Sequence, residues 1–445
     1  MSLKRLYIKT YGCASNVYDS SRMVDVLKPL GYALTETPEN ADLVILNTCH
    51  IREKAEEKVY SDLGRIRAHK QEKTIVAVGG CMAQAEGGEI IRRAPYVDMV
   101  FGPQTYHRLP EMIARAHRSQ DKKTGSGRGI VEVDFPVESK FDSLPGEHSH
   151  VGSSAFLAIQ EGCDKFCTYC VVPYTRGAEF SRPPQAILEE AKLLLEQGAK
   201  EITLLGQNVN AYHGEDPTGA IWGLGRLIEA LAALKGLRRI RYMTSHPRDM
   251  DDELMIAHRD IPQLMPSMHL PVQSGSERIL KAMNRQHTPD FYKKIIEKTR
   301  QYRPDIAFSS DFIVGFPGET DQDFEDTLSL VREVSYSQAY SFKYSPRPGT
   351  PGAVMDNQIS EDVKAERLMR LQELLNTQQR AFNESTIGKT MPVLLDRKGS
   401  REGQGLGKTP YAQSVHIDVP AELFGECIDV KIEKAFANSV TGSVL

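Results

Sequence analysis

The chain reads as a mixed α/β protein in three parts: an open parallel α/β domain over residues 1–120, a partial (βα)6 barrel over 151–382, and a small β-barrel over 383–445. Three observations predict this. Short apolar runs alternate with amphipathic stretches in the first part, the alternation restarts for six further rounds after a polar break, and the last sixty residues or so turn to short β-rich runs with Gly-rich turns. A length of 445 residues, at about 150 per domain, agrees with three parts.

In the first part RLYIKT precedes VYDSSRMVDVLKPL, DLVILNT precedes AEEKVYSDLGRIRAHK, TIVAVGG precedes GEIIRRA, and MVFG precedes HRLPEMIARAHR. Residues 121–150 are polar and rich in Gly, Ser and charge, which predicts a linker. Six candidate strands follow: AFLAIQ, EITLLGQN, IRYMTS, MHLPVQ, AFSSDFIVGF and AYSFKYSPR, separated by helical patterns such as QAILEEAKLLLEQG and DQDFEDTLSLVREV. Six units stop short of the eight of a closed barrel, so a partial barrel is expected. A long helical pattern, EDVKAERLMRLQELLNTQQRAFNEST, leads to the terminal β region.

With 40% hydrophobic and 26% charged residues the composition is that of a globular chain, not a disordered or collagen-like one. No apolar run approaches the roughly 18 residues of a membrane span, and the start MSLKRLYIKTYGCASN lacks a secretory h-region, so a cytoplasmic location with no membrane partner is expected. The net charge of −4, from 55 basic and 59 acidic residues, leaves only a local basic surface open for nucleic acid.

Seven cysteines are too sparse for a disulfide scaffold. Cys163, Cys167 and Cys170 stand in IQEGCDKFCTYC, just after the first strand of the second part. Three thiolates leave a metal centre one ligand short, the arrangement of a reactive site, and thiolates on a loop suit iron–sulfur as well as zinc. Cys13, Cys49 and Cys81 share no local motif, but each follows a predicted strand, in IKTYGC, ILNTC and VAVGGC. Carboxyl ends of parallel strands converge on one crevice, so these read either as a second three-cysteine cluster site beside Gly12, Gly79 and Gly80 or as three unrelated half-buried thiols. Cys427, alone in a β context, is expected to be a core thiol.

The C-x3-C-x2-C spacing is the signature of the radical S-adenosylmethionine superfamily, and the six βα units agree with it. TYGC, LVILNTC, VGGCMAQ, IQEGCDKFCTYCVVPYTRGAEFSR, LLGQNVNAY, HLPVQSGS, DFIVGFPGET and YSPRPGTPGA extend the resemblance over essentially the whole chain to the methylthiotransferase family, whose terminal barrel is the RNA-binding TRAM module. The stretch His50 to Arg65 resembles the branch acting on N6-dimethylallyladenosine beside the tRNA anticodon, rather than the branches acting on threonylcarbamoyladenosine or on a ribosomal-protein aspartate. Ala14 and Ser15 depart from that branch's usual Gln-Met, while Asn16 is retained. A reading of another class is a non-catalytic iron–sulfur RNA-binding regulator.

The resemblance implies two [4Fe–4S] clusters: a sulfur-delivering one on Cys13, Cys49 and Cys81, and a radical-generating one on Cys163, Cys167 and Cys170. It implies two molecules of S-adenosylmethionine, one giving a methyl group to sulfur and one a 5′-deoxyadenosyl radical. The implied partners are a tRNA anticodon stem-loop carrying the dimethylallyl group, a one-electron reductase such as flavodoxin, and a sulfur or cluster donor. For cofactor binding, Ile313, Gly315 and Glu319, with Gly318, match the superfamily's adenine- and ribose-facing strand motif, although Glu319 also suits the first turn of a helix. Gln207 and Asn208 end the second barrel strand, where amino-group contacts are placed; Gln273 and Ser274 end the fourth and suit either the mouth or a turn. Arg176 suits an anion partner or an ordinary surface position.

From Lys389 onward seven basic residues face seven acidic ones, so the terminal barrel is balanced overall. Arg397, Lys398, Arg401 and Lys408, with Tyr411 alongside, are the candidate RNA contacts, and a solvated hairpin loop has the same composition.

Overall fold

The computed structural model describes residues 3–50, 53–121, 129–149 and 151–445. The chain divides into two compact units, and each is discontinuous: Met1–His150 with Val171–Glu179, and Val151–Cys170 with Phe180–Leu445.

The first unit is a six-stranded parallel sheet of β1 (Lys4–Thr10), β2 (Tyr32–Leu34), β3 (Leu43–Thr48), β4 (Ile75–Gly80), β5 (Met99–Phe101) and β6 (Ile130–Glu132), in the spatial order β2-β1-β3-β4-β5-β6. β3 and β4 are buried along their whole length, which is why both read as unbroken apolar runs. Alternate residues feed two cores. Leu43, Ile45, Ile75 and Ala77 pack with Met23 and Leu27 of the helix Ala14–Leu27 and with Met112 and Ile113 of the helix Leu109–Asp121. Val44, Leu46, Val76 and Val78 pack with Val59 and Leu63 of the helix Glu53–His69. The sheet is therefore doubly wound, and its order reverses between β1 and β3.

The linker expected over 121–150 is corrected here. Residues 122–128 and 150 lie outside the described residues, but Ile130–Glu132 form the sixth strand of the sheet and Lys140 is buried in the same unit. A polar stretch concealed both, because the burial of Lys140 rests on a partner, Asp19, more than a hundred positions away.

In the second unit β7 (Ser154–Ala158), β8 (Glu201–Leu205) and β9 (Arg239–Tyr242) form one parallel sheet, and β10 (Ser267–His269), β11 (Ala307–Val314) and β12 (Gln338–Lys343) form another. A parallel bridge between Ile240 and Leu264 joins them, so six parallel strands follow one another in chain order. No ladder between β7 and β12 occurs among the described residues, and the barrel is partial. Its outer layer is one apolar core, from Leu157 and Ile202 through Ile228 and Leu270 to Phe312 and Val331.

The helix Glu361–Glu384 leads into a closed barrel of β13 (Thr390–Lys398), β14 (Gln404–Lys408), β15 (Ser414–Asp418), β16 (Cys427–Ala435) and β17 (Ser439–Val444), ordered β13-β14-β15-β17-β16 around Val393, Leu395, Val415, Val430 and Val440. Two arginines of β9, Arg239 buried and Arg241 half-buried, tie it to the six-stranded part. Arg239 donates to the carbonyl of Lys408 at 2.9 Å. Arg241 donates to those of Thr409 and Pro410 at 2.8 and 2.9 Å while pairing with Glu201 at 3.0 Å. Cys427 is exposed, not in the core: it begins β16 on the face that also carries Asp429 and Lys431, while Val430 and Ile432 point inward.

Candidate iron–sulfur sites

Cys13, Cys49 and Cys81 follow β1, β3 and β4 directly, at the carboxyl edge of the first sheet, where β1 and β3 flank the reversal of strand order. The three strand ends are laced together. Tyr11 N–H donates to the Asn47 carbonyl at 2.8 Å, and Thr48 Oγ1 to the Gly79 carbonyl at 2.6 Å. Asn16 Oδ1 accepts from Cys13 N–H at 3.3 Å, while its amide donates to the Thr48 carbonyl at 3.1 Å; Asn47 returns a bond to the Asn16 carbonyl at 2.8 Å. Asn16 thus caps the helix that Cys13 begins and fastens it to the strand that delivers Cys49.

Two glycines are dictated by close approach. A Cβ on Gly12, at φ +122°, would stand 2.4 Å from Cys49 Cβ. One on Gly80, at φ +94°, would stand 2.3 Å from the Thr48 carbonyl oxygen. Only residues lacking Cβ let these turns close on one another. Cys49 and Cys81 are buried and Cys13 is exposed. Burial pushes the Cys81 thiol up, and the Arg176 guanidinium opposes that rise. Arg176 is neither a surface residue nor an open anion clamp: it is buried and pairs with Asp19 at 2.7 Å.

The second set is held by its loop. Gln160 Oε1 accepts from the backbone N–H of Gln207 at 2.8 Å and of Asn208 at 3.2 Å, and Gln207 Oε1 accepts from Gly162 N–H at 2.7 Å, one residue before Cys163. Asn284 donates to the carbonyls of Lys165 and Phe166 at 3.2 and 3.0 Å, and Lys165 pairs with Asp249 at 2.6 Å. The Cys170 N–H donates to the Cys167 carbonyl at 2.9 Å, turning the last two thiols together. Arg285, buried, directs Nη1 at Cys167 Sγ, 3.6 Å away.

The remaining residues expected to bind cofactor divide into two groups. Gln207 is a loop clamp. Asn208 donates to Asp249 at 2.7 Å, and its buried Oδ1 has no donor among the described residues. Gln273 is buried at φ +79°, while Ser274 is enclosed in a turn with Thr327 at 3.3 Å and Ser276. Ile313 packs beside Phe316 and Tyr344 near Tyr169. Glu319 is buried, accepts from Gly315 N–H at 2.7 Å and pairs with Arg367 at 2.8 Å, so it shapes the turn after β11. At the terminal barrel Arg397, Lys398 and Arg401 are exposed. Lys408 is half-buried, with its ammonium pushed down by burial and by Arg241, and Tyr411 donates to Asp305 at 3.2 Å and meets Phe382 edge-on.

Sequence reasoning missed Asp19, Asp249, Asn284 and Arg285. It also missed His246 and His287, buried rings 5.7 Å apart, of which His287 is pushed down to about 4 by burial and by Arg285. The run Asn284-Arg285-Gln286-His287 held a signal: Asn284 and Gln286 both take φ +56°, a tight turn spent on polar residues.

Among the described residues no group of three or more His, Cys, Asp and Glu side chains is arranged to hold a single metal ion. Soft thiolate donors suit an iron–sulfur group; a Cβ at Gly12 or Gly80 would crowd the first set, and a buried guanidinium lies at one sulfur of the second.

Residues 5–102 match the model of the uncharacterized protein family UPF0004, 157–331 that of the radical SAM superfamily, and 384–445 that of the TRAM domain. A tRNA-2-methylthio-N(6)-dimethylallyladenosine synthase of Maricaulis maris is 60% identical over 450 residues, 99% of this chain and 97% of that protein. The chain belongs to that synthase family. Among solved structures, the radical S-adenosylmethionine methyltransferase TsrM from Kitasatospora setae shares its fold with a TM-score of 0.59 at 14% identity, over 79% of this chain and 77% of that one. The cobalamin-dependent S-adenosylmethionine radical enzyme OxsB follows with a TM-score of 0.51 at 14% identity, over 84% of this chain and 56% of that one.

The Glu319–Arg367 pair yields a stability test within this synthase-family fold. Arg367→Met leaves a buried carboxylate without its cation, a loss of about 3–5 kcal/mol. Burial already raises the Glu319 carboxyl above the ordinary range, and removing Arg367 raises it further. A group raised on folding stabilises fully below its unfolded value and loses that contribution as pH rises through the folded one. Denaturant midpoints should therefore show the variant's deficit shrinking below about pH 4 and growing toward pH 7.

Proposed function

We propose that the chain methylthiolates carbon 2 of N6-dimethylallyladenosine beside the tRNA anticodon. The observation that carries this is 60% identity along 99% of the chain to a synthase of that name, supported by two cysteine sets, each on its own α/β framework. Identity at that level removes the sister branches, and it sets aside a regulator that only binds RNA.

The C2 hydrogen of an adenine is not acidic, so no side-chain base of ordinary pKa removes it. Iron–sulfur groups with S-adenosylmethionine supply the radical and methyl chemistry in place of a base. The chain's own part is to hold and orient. Cys13, Cys49 and Cys81 would hold one group and Cys163, Cys167 and Cys170 the other. Gln160, Gln207 and Asn284 fix the second loop; Asn208 Oδ1 is an acceptor for the S-adenosylmethionine ammonium; Ile313, Gly315 and the Glu319 turn shape the backbone beside its adenosine. A one-electron reductase and a sulfur or cluster donor complete the cycle. The location is cytoplasmic, in keeping with the absence of any described helix long and apolar enough to cross a membrane.

Anaerobically reconstituted chain in which Cys163, Cys167 and Cys170 are Ala should carry roughly half the iron of the unaltered chain and cleave no S-adenosylmethionine, because each set binds its own group. Full iron in that variant would remove the two-group assignment.

An anticodon-loop base is already single-stranded, so specificity falls on the pocket and not on strand opening. Burying the dimethylallyl carbons at about 0.8 kcal/mol each gives roughly 4 kcal/mol, hence kcat/KM lower by two to three orders of magnitude on tRNA lacking the group. Equal rates on both tRNAs, measured side by side, would refute the substrate assignment.

The terminal barrel binds tRNA backbone through Arg397, Lys398 and Arg401. Their joint replacement by Ala should make the slope of log affinity against log salt shallower by up to about 2, at about 0.7 per phosphate contact. Lys408→Ala, at the half-buried position, should change the slope little; a change as large as the triple variant's would reverse this division of roles.

A further inference from the structure

The strand β11 carries two different faces. Phe308, Phe312 and Val314 are buried in the core shared with the helices Pro289–Tyr302 and Asp321–Val334. The alternate residues Ser309, Asp311 and Ile313 are only half-buried, although β10 and β12 flank the strand on both sides. A parallel strand packed on both faces reads as one apolar run; β11 instead turns a carboxylate to the inner face of the partial barrel.

Register sets the neighbours of that carboxylate. Ser309 stands opposite His269 of β10, and Asp311 and Ile313 stand opposite Tyr340 and Phe342 of β12. His269 Nδ1 lies 2.9 Å from Ser309 Oγ and its Nε2 3.6 Å from Asp311 Oδ2, while its ring meets Tyr340 edge-on at 6.3 Å. No described residue donates a hydrogen bond to the Asp311 carboxylate, whose side chain is 31% exposed. Tyr340 is 46% exposed and Phe342 36%. A carboxylate offers acceptors only, so what completes it is a donor. Aromatic rings with open area beside an edge acceptor are the means by which proteins hold a splayed-out base, stacked on a ring and hydrogen-bonded at its edge.

We propose that Asp311, positioned by His269, is a specificity-determining residue for the target base: it accepts a hydrogen bond from the hydrogen left on the alkylated N6, with Tyr340 and Phe342 against the ring and the alkyl chain. This rests on the substrate reading given above. A monoalkylated exocyclic nitrogen presents a hydrogen and an apolar chain side by side, and a carboxylate with two aromatic rings on the adjacent strand presents the complement. The primary amine of the S-adenosylmethionine adenine carries no apolar chain, so the rings favour the target base over the cofactor as the occupant.

The test uses the full chain, reconstituted anaerobically, and anticodon stem-loop RNAs that carry at the target position N6-dimethylallyladenosine, O6-dimethylallylinosine, in which an ether oxygen replaces the N–H, or unmodified adenosine. Affinity is read by fluorescence anisotropy and turnover by nucleoside analysis. The unaltered chain should bind the ether about tenfold or more weakly than the amine, the loss expected for a hydrogen bond to a charged group. Asp311→Asn, whose amide both donates and accepts, should bring that ratio toward unity, whereas Tyr340→Leu should weaken both RNAs and leave the ratio in place. His269→Gln, which keeps the carboxylate and loosens its hold, should lower the ratio part-way, and it decides the matter if Asp311→Asn does not fold. A ratio of unity in the unaltered chain would overturn the proposal, as would an unchanged ratio in the Asn variant, or in the Gln variant where the Asn one does not fold. An Asp311→Asn chain that keeps the ratio but needs more S-adenosylmethionine for uncoupled cleavage would give the carboxylate to the cofactor and overturn the proposal in that way. Unmodified adenosine converted as fast as the prenylated base would overturn the substrate reading, and the proposal with it.

Discussion

Three thiols drawn from residues tens of positions apart reach one edge only because a doubly wound parallel sheet has a point where its order reverses. Between β1 and β3 the following helices leave on opposite faces, so the carboxyl ends of these strands meet at the point where a crevice forms in sheets of this kind. Cys13 and Cys49 flank that point and Cys81 stands on the next strand. What turns a topological gap into a fixed site is the buried Asn16–Asn47–Thr48 lattice, whose members satisfy one another across three strand ends. In a low-dielectric interior such a fully bonded network holds a geometry more firmly than apolar contact does. Asn16, which the chain keeps where the two positions before it depart from the branch pattern, is a member of that lattice.

The second set solves the same problem without a sheet. Its thiols sit within eight residues of one another, so they need no topology to meet, but their loop has little backbone pairing of its own. Side chains from later strands supply the missing order: Gln207 from the end of β8, Asp249 from after β9, and Asn284 and Arg285 from after β10. The consequence is that the loop is only as well placed as the barrel mouth around it, and residues matching a cofactor-binding pattern, such as Gln207 and Glu319, are used to build the mouth.

This contrast explains what the sequence discloses. The strands expected from RLYIKT, DLVILNT, TIVAVGG, MVFG and all six barrel runs are present, because buried parallel strands must be apolar and are therefore conspicuous. β2 and β6 escaped because three residues at a sheet edge carry almost no periodicity, and β6 also lies in a stretch whose polar composition reads as a linker. Cys427 was misjudged although the alternation was there to read: it shares parity with Asp429 and Lys431, not with Val430 and Ile432. Lys408 and Tyr411 could not have been placed from local sequence at all, since Arg239, which donates to the Lys408 carbonyl, and Asp305, which accepts from Tyr411, lie far back in the chain.

The same long-range contacts decide which basic residues remain for nucleic acid. Arg239 spans Lys408 and Pro392; Arg241 spans Glu201, Ser267, Thr409 and Pro410; Arg285 spans Cys167 and Pro271; Arg367 spans Glu319 and Asp321. In every case the planar guanidinium joins segments distant in sequence, a task that its fixed fork of donors performs and a lysine ammonium does not. Arginines used in this way present no charge to solvent, so the balance of 55 basic and 59 acidic residues overstates the cationic surface. On the terminal barrel Arg397, Lys398 and Arg401 stand exposed together on the hairpin from β13 to β14, with Arg397 beside Asp396 at 3.4 Å, while Lys389, Lys431 and Lys434 are exposed elsewhere on it. A phosphate backbone reads local potential within about a Debye length, roughly 8–10 Å at ordinary salt, so three basic residues on one hairpin would suffice to attract it even in a chain whose net charge is negative.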